Sequence, residues 1–115
     1  MKKIEAYIKS SKVNEVIEEL HALDGLTGVS VIHHVAGYGR QKHKGENSPH
    51  IVDNTSKSIP HSKLEIFCKD DLCSKIIDTI QKTAHTGLRS DGKIFILPLE
   101  DAVRISKNQR GENVV

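Results

Sequence analysis

G-Y-G-R-Q-K-H-K-G-E-N-S-P-H-I-V-D-N-T-S-K-S-I-P-H-S, residues 37–62, separates two strongly patterned parts of a 115-residue chain. Ile51, Val52 and Ile59 within it fit neither a helical nor a strand period. The stretch therefore buries too little apolar surface to order itself, and it is expected to be a long, mobile loop. Loops beyond about 12–15 residues are uncommon inside compact domains, where they are usually functional or disordered. Patterned segments on both sides favour a loop held out for use.

Immediately before it, residues 28–36 are rich in β-branched side chains and are expected to form a strand. Immediately after it, residues 63–68 resume as another strand. The most economical pairing is an antiparallel hairpin whose connection is the long loop, with its tip well away from the sheet. Further out, Lys2–Lys9 alternates, with Ile4, Ala6 and Ile8 on one face and Lys3, Glu5 and Tyr7 on the other. Val13, Val16, Ile17, Leu20 and Leu23 then gather on one stripe of a helix that Asp24-Gly25 stops.

Downstream, Asp70-Asp71 places carboxylates where the positive end of a helix dipole favours them. Leu72, Ile76, Ile77 and Ile80 repeat at helical spacing, and Thr86-Gly87 is expected to end this helix with a left-handed glycine cap. Residues 93–97 make a fourth strand. After Pro98 come an acidic turn, a short apolar run at 102–105 and a polar tail. The order strand, helix, strand, strand, helix, strand predicts an antiparallel sheet with both helices on one face, a ferredoxin-like βαββαβ α+β sandwich forming a single domain over residues 1–115. The sheet face without helices needs a partner, which self-association would supply.

Composition excludes several classes of function. Seventeen Lys and Arg against fifteen Asp and Glu leave a net charge of +2, with two Tyr, two Phe and no Trp. The chain thus has neither the basic stripe nor the stacking platform that nucleic acid requires. No apolar run approaches the roughly 18 residues of a membrane span, and residues 1–12 lack the apolar core of a signal peptide, so a cytoplasmic protein is expected. Cys68 and Cys73, five residues apart, have neither C-x-x-C spacing nor a neighbouring histidine cluster, and read as packing residues. His43, His50 and His61 are seven and eleven residues apart in the loop and lack the fixed geometry of a metal site. His33 and His34 are expected on opposite faces of their strand.

Three elements carry chemistry. In Gly37-Tyr38-Gly39-Arg40-Gln41-Lys42, glycine lets backbone turn through positive φ or approach a ligand closely, arginine and lysine suit phosphate oxygens, and Gln41 offers an uncharged oxygen for a metal-bound phosphate. In Thr86-Gly87-Leu88-Arg89-Ser90-Asp91-Gly92-Lys93, consecutive amides can form an anion-binding nest beside Arg89 and Lys93. Arg104, with Lys107 and Arg110 beyond it, is the third. Their convergence on one polyphosphate would require subunits packed edge to edge. No nucleophile, base and orienting group assemble from these spacings, so an enzyme is not expected.

The opening M-K-K-I-E-A-Y-I-K, the block G-Y-G-R-Q-K, the segment K-L-E-I-F and T-G-L-R-S-D-G-K-I-F-I together resemble the PII signal-transduction family over almost the whole chain. The resemblance implies a homotrimer of ferredoxin-like subunits, with adenine nucleotide (ATP or ADP) in clefts between neighbours. It also implies a T-loop, here residues 37–62, that docks onto a target protein: a transporter, an enzyme or a regulator of nitrogen or related metabolism. It places Gly37, Gly39 and Arg40 at the base of the T-loop near the nucleotide, and Gln41 on Mg-ATP. Gly87, Arg89, Ser90, Asp91, Gly92 and Lys93 fall in the phosphate-holding B-loop, residues 86–93, and Arg104 in a C-terminal phosphate-binding segment, residues 102–115. Ser30 stands where the family has a hydroxyl near adenine, and Phe67 where it has an apolar contact to the base.

The sequence also departs from the family. Ser90 replaces a glycine, and Ser106 replaces the second C-terminal arginine, which removes a charged contact worth about 1.5–3 kcal/mol unless Lys107 or Arg110 substitutes, so that ADP or AMP is expected to bind comparably to ATP. His61 replaces the lysine that pairs with 2-oxoglutarate, and neutral imidazole is a poor carboxylate partner, so tight 2-oxoglutarate binding is not expected. The strand before the loop is one residue longer than the family pattern. With no tyrosine beyond Tyr38 at its base, the T-loop has no acceptor for uridylylation. A different class of function, an adaptor of the same fold that ignores nucleotide, stays open at this point.

Overall fold

Alternation of Ile4, Ala6 and Ile8 with Lys3, Glu5 and Tyr7 produces β1 (Lys2–Lys9), whose first set is buried and whose second is half-buried. The computed structural model describes residues 1–38, 40–42, 49–51 and 59–115, the two short segments by their backbone alone. In it β1 is a central strand. It pairs antiparallel with β5 (His61–Cys68) from Lys2↔Cys68 to Lys9↔His61, and with β6 (Gly92–Pro98) from Lys2↔Pro98 to Ile8↔Gly92. On the far side of β5 lies β2 (Ser30–Val35), so the order across the sheet is β2-β5-β1-β6.

Helices α1 (Val13–His21) and α2 (Asp70–Ala84) both cover the face carrying Ile4, Ala6, Ile8, Leu64 and Ile66. Val13, Val16 and Leu20 of α1 meet Cys73, Ile76, Ile80 and Ala84 of α2 over those strands. This is the ferredoxin-like α+β sandwich that the order of elements predicted. Ile80 is fully buried. Removing one methyl group from it, in Ile80→Val, is expected to cost about 1 kcal/mol, read as a lowered urea midpoint. Cys68 and Cys73 are buried free thiols, as packing residues should be. Burial pushes the Cys68 thiol up to about 11.

The face without helices is charged and internally paired. Lys3 Nζ lies 2.8 Å from Glu5 and 2.9 Å from Glu65, and Lys63 lies 3.8 Å from Glu65. Hydrogen bonds from Lys3 to the two carboxylates, Glu5 first, raise its pKa well above the ordinary lysine range, and the same bond holds Glu65 below the carboxylate range. Tyr7 packs edge-on against Phe95 with ring centroids 5.8 Å apart.

Several sequence expectations are corrected. In β2 the register shifts between Ile32 and Val35, where one extra residue is absorbed in a bulge and His34 takes φ 60°. Simple alternation therefore fails there, and the His33 and His34 rings sit 6.2 Å apart, both exposed. The surplus residue noticed in this strand is accommodated without moving the strand's hydrophobic register over Ser30–Ile32. The long connection is not wholly irregular, because β3 (Arg40–Lys42) pairs with β4 (Pro49–Ile51) and β5 begins at His61. The cap of α2 is His85 in an extended conformation, and its amide bonds to Gln81 O. Gly87, at φ 90°, serves the following turn instead. The polar tail folds back as a ribbon of β7 (Val103–Arg104) and β8 (Gln109–Arg110).

Candidate functional site

Between α2 and β6 the chain reverses through a turn that closes on its own anion. Gly87 takes φ 90°, Arg89–Asp91 form a single 3-10 turn, and Gly92 takes φ 107°, ψ −163°. The Asp91 carboxylate accepts from the Thr86 amide at 2.6 Å, the Gly87 amide at 2.9 Å and the Thr86 hydroxyl. The Lys9 ammonium reaches the same carboxylate at 3.2 Å, and Thr86 Oγ1 at 3.2 Å, from the end of β1. These bonds, the Thr86 hydroxyl first, hold Asp91 far below the usual carboxylate range. Two amides expected to line an outward nest are thus turned onto Asp91. Arg89 in the turn and Lys93 at the start of β6 are both exposed.

His61 ties this turn to the loop's exit, with Nδ1 2.7 Å from Ile59 O and Nε2 2.8 Å from Ser90 O. Gly37 is exposed, has no left-handed φ, and an added Cβ there would meet open space. Glycine at 37 therefore leaves room beside the backbone and does not make a turn. Arg40 and Gln41 lie on β3, in register with Ile51 and His50. Gly39 and His43 lie outside the described residues, as do the side chains of Arg40, Gln41 and His50. Among the described residues, no group of three or more His, Cys, Asp or Glu side chains is placed to hold a metal ion.

A second set of residues converges elsewhere. Ser30 and Phe67 line one cleft of about 540 Å³ together with Gly28, Glu65, Leu99, Ala102 and Val103. Its walls are Phe67 and aliphatic groups, and its polar lining comes from Thr27, Ser30, Asp101, Glu65 kept ionised by Lys3, and the backbone around Gly28. That combination suits a flat, polar-edged ring. Arg104, next to Val103 on the ribbon, is exposed and does not itself line the cleft.

Within one chain the two sets do not meet. Phe67 and His61 are six residues apart on the same strand, a separation of about 20 Å. Ser30 and Phe67 form one group, with Arg104 next in sequence to the cleft residue Val103, while Gly87, Arg89, Ser90, Asp91, Gly92 and Lys93 form another. The sequence reading missed Glu65 in the cleft and the buried Lys9 under the turn. Lys9 falls on the polar side of the alternation, and no spacing marks it as covered. Only the turn packing over it does so.

A ferredoxin-like sandwich with exposed cations beside a turn at one end of the sheet and a cleft at the other defines a small α+β domain with a long inter-strand connection. Comparison with known proteins gives that class its family. The family described as "Nitrogen regulatory protein P-II" matches residues 1–109, and the chain belongs to it. A nitrogen regulatory protein P-II from Azospirillum brasilense is 41% identical over 118 residues, covering all of both chains. One from Pyropia yezoensis is 43% identical over 111 residues, covering 94% of each. Among solved structures, Arabidopsis thaliana PII bound to citrate superposes with a TM-score of 0.72 at 30% identity, covering 99% of this chain and 91% of that one. The Bacillus subtilis GlnK-ATP complex superposes with a TM-score of 0.80, covering 99% and 94%. At 21% identity the latter likeness speaks for the fold. Among the described residues no helix is long and apolar enough to cross a membrane.

Proposed function

We propose that the chain is a cytoplasmic signal regulator, and not an enzyme, that assembles as a homotrimer and binds adenine nucleotide between neighbouring subunits. The observation that carries this reading is the separation of two complementary half-sites. A partly apolar cleft at one end of the sheet and exposed cations beside the turn at the other can serve one phosphorylated nucleoside only where two chains abut, and a closed ring of three chains repeats that junction without leaving a half-site over. In this reading Ser30, Phe67 and Glu65 hold the base. Gly37, Gly39 and Arg40 flank the phosphates of the neighbouring half-site, Arg89, Gly92 and Lys93 receive them, and Arg104 adds a guanidinium. Gln41 would face magnesium when ATP carries it.

A GlnK-ATP complex and a citrate-bound PII, both of this fold, support the reading that the site takes a nucleotide or a small acid. For 2-oxoglutarate the geometry points the other way, since both His61 nitrogens already face backbone carbonyls. Nucleotide identity would then select among conformations of residues 37–62, and one of these fits a target protein, a transporter or metabolic enzyme.

Calorimetric titration with ATP, ADP, AMP and 2-oxoglutarate, with and without magnesium, tests the proposal. Lys93→Ala is expected to weaken ADP binding by at least about tenfold through loss of a charged contact, with the oligomer intact by light scattering. Unchanged affinity would overturn the phosphate assignment. Absence of any nucleotide binding in the native protein would leave an adaptor of the same fold.

A further inference from the structure

His61 is the first residue of β5, where the long loop re-enters the sheet, and its ring lies between two carbonyl oxygens, Ile59 O at 2.7 Å from Nδ1 and Ser90 O at 2.8 Å from Nε2. A carbonyl oxygen only accepts, and a neutral imidazole has one N–H and one lone pair. Neutral His61 therefore serves one oxygen and sets its lone pair against the other. Only the imidazolium donates to both.

The two oxygens belong to different devices. Ile59 ends the loop, and Ser90 sits in the turn that delivers Gly92 and Lys93. Two pairs of charges flank the ring, and Arg89 stands exposed in the turn beside Ser90. From β1, Lys9 is opposite His61 in register and is bound to Asp91 of the turn. From its own strand comes Lys63, bound to Glu65. From β2 comes the apolar Val35, with His34 one residue before it. The two carbonyls are what most sharply distinguish the protonated ring from the neutral one.

We infer that His61 is a proton-dependent clasp that couples the exit of the long loop to the ligand-facing turn. Protonated, it ties Ile59 to Ser90; neutral, it releases one of them. The coupling to ligand rests on the reading of Arg89–Lys93 as an anion seat, whereas the clasp belongs to the ligand-free protein. Because coupling is reciprocal, an anion that prefers the clasped turn also favours the proton on His61. Nucleotide occupancy and proton concentration would then act on the loop through one side chain.

Two amides report on the clasp without any ligand. Ser10 N–H donates to Pro60 O at 2.9 Å, beside Ile59, and Asp91 N–H donates to Leu88 O at 3.1 Å within the turn. Hydrogen-exchange protection at these amides, corrected for intrinsic exchange, is measured in the assembled full-length protein across the interval in which histidine changes charge, about pH 5 to 8. Protection is expected to fall about threefold to tenfold as the pH rises, the effect of one ordinary net hydrogen bond. In His61→Gln and His61→Phe it should be independent of pH, and the first variant decides if the second does not fold. A flat native profile, or the same slope kept in both variants, would overturn the clasp.

ADP titrations over the same interval separate this inference from the one beneath it. Affinity that falls with pH in the native protein and not in His61→Gln supports the coupling. No ADP binding at any pH, with the exchange slope present and lost in the variants, leaves the clasp standing and removes the nucleotide seat. ADP binding without pH dependence, together with a flat exchange profile, removes the clasp and keeps the seat.

Discussion

Gly92→Ala is expected to destabilise the fold by about 3–5 kcal/mol, enough to leave much of the chain unfolded. The reason is steric and twofold. At φ 107°, ψ −163° the backbone occupies a region that side chains with a Cβ rarely enter. A Cβ built there would also stand 1.7 Å from the Tyr7 carbonyl oxygen and 2.8 Å from its carbon, which are atoms of a central strand. Tyr7 cannot retreat, because β1 is fixed by β5 on its other edge. The residue therefore gives way at the cost of the Ile8↔Gly92 pairing, and β6 loses its first anchor to the sheet. A urea melt followed by circular dichroism measures this, with Gly28→Ala as the control, since a Cβ at position 28 would meet nothing within 4 Å. Equal midpoints for the two variants would mean that the turn has room to spare.

That contrast between two glycines marks where the sequence was legible and where it was not. The periods of two in Lys2–Lys9 and of 3.6 in Val13–Leu20 are direct consequences of which side each Cβ faces, so the first strand and the helices could be read from apolar positions, and the ferredoxin-like sandwich from the order of elements. Ser30 and Phe67 were placed by resemblance, and the structure brings them into one cleft. Glycine conformation could not be read in this way. Position 87 was expected to cap α2, yet its left-handed φ belongs to the turn beyond an extended His85. Position 37 was expected to be a turn or a close approach, yet its φ is not left-handed and a Cβ there would meet nothing within 4 Å. Local composition states that a glycine is permitted and says nothing of which neighbour demands it. The roles of Lys9 and His61 were hidden for a related reason. Each sits at the outer-facing phase of a strand, and each is engaged by the Thr86–Asp91 turn, a contact between segments far apart in sequence that no local pattern encodes.

The second large effect is expected at Asp91. Its carboxylate is the common acceptor for the Thr86 amide and hydroxyl, the Gly87 amide and the Lys9 ammonium. Asp91→Ala orphans all of these donors at once, and it leaves the Lys9 charge, only 7% exposed, with Thr86 Oγ1 as its remaining partner. Lys9→Met is the milder change, because Asp91 retains its Thr86 and Gly87 donors and the aliphatic stem is replaced. The double variant Lys9→Met with Asp91→Ala is therefore expected to be more stable than Asp91→Ala alone. Urea midpoints give this ordering, and a double variant worse than either single change would show that the two residues act separately.

The same bonds set the response to acid. Asp91 is more acidic in the folded chain than in the unfolded one, so its contribution is complete above the ordinary carboxylate value, about 3.9. That contribution drains away as the pH falls toward the folded value. Native protein and Asp91→Asn should accordingly differ most near neutrality and converge as the pH is lowered below about 4, in parallel with rising exchange at the Thr86 and Gly87 amides. A difference that stays constant with pH would assign the loss in Asp91→Asn to shape alone and remove the charged carboxylate as the organiser of the turn.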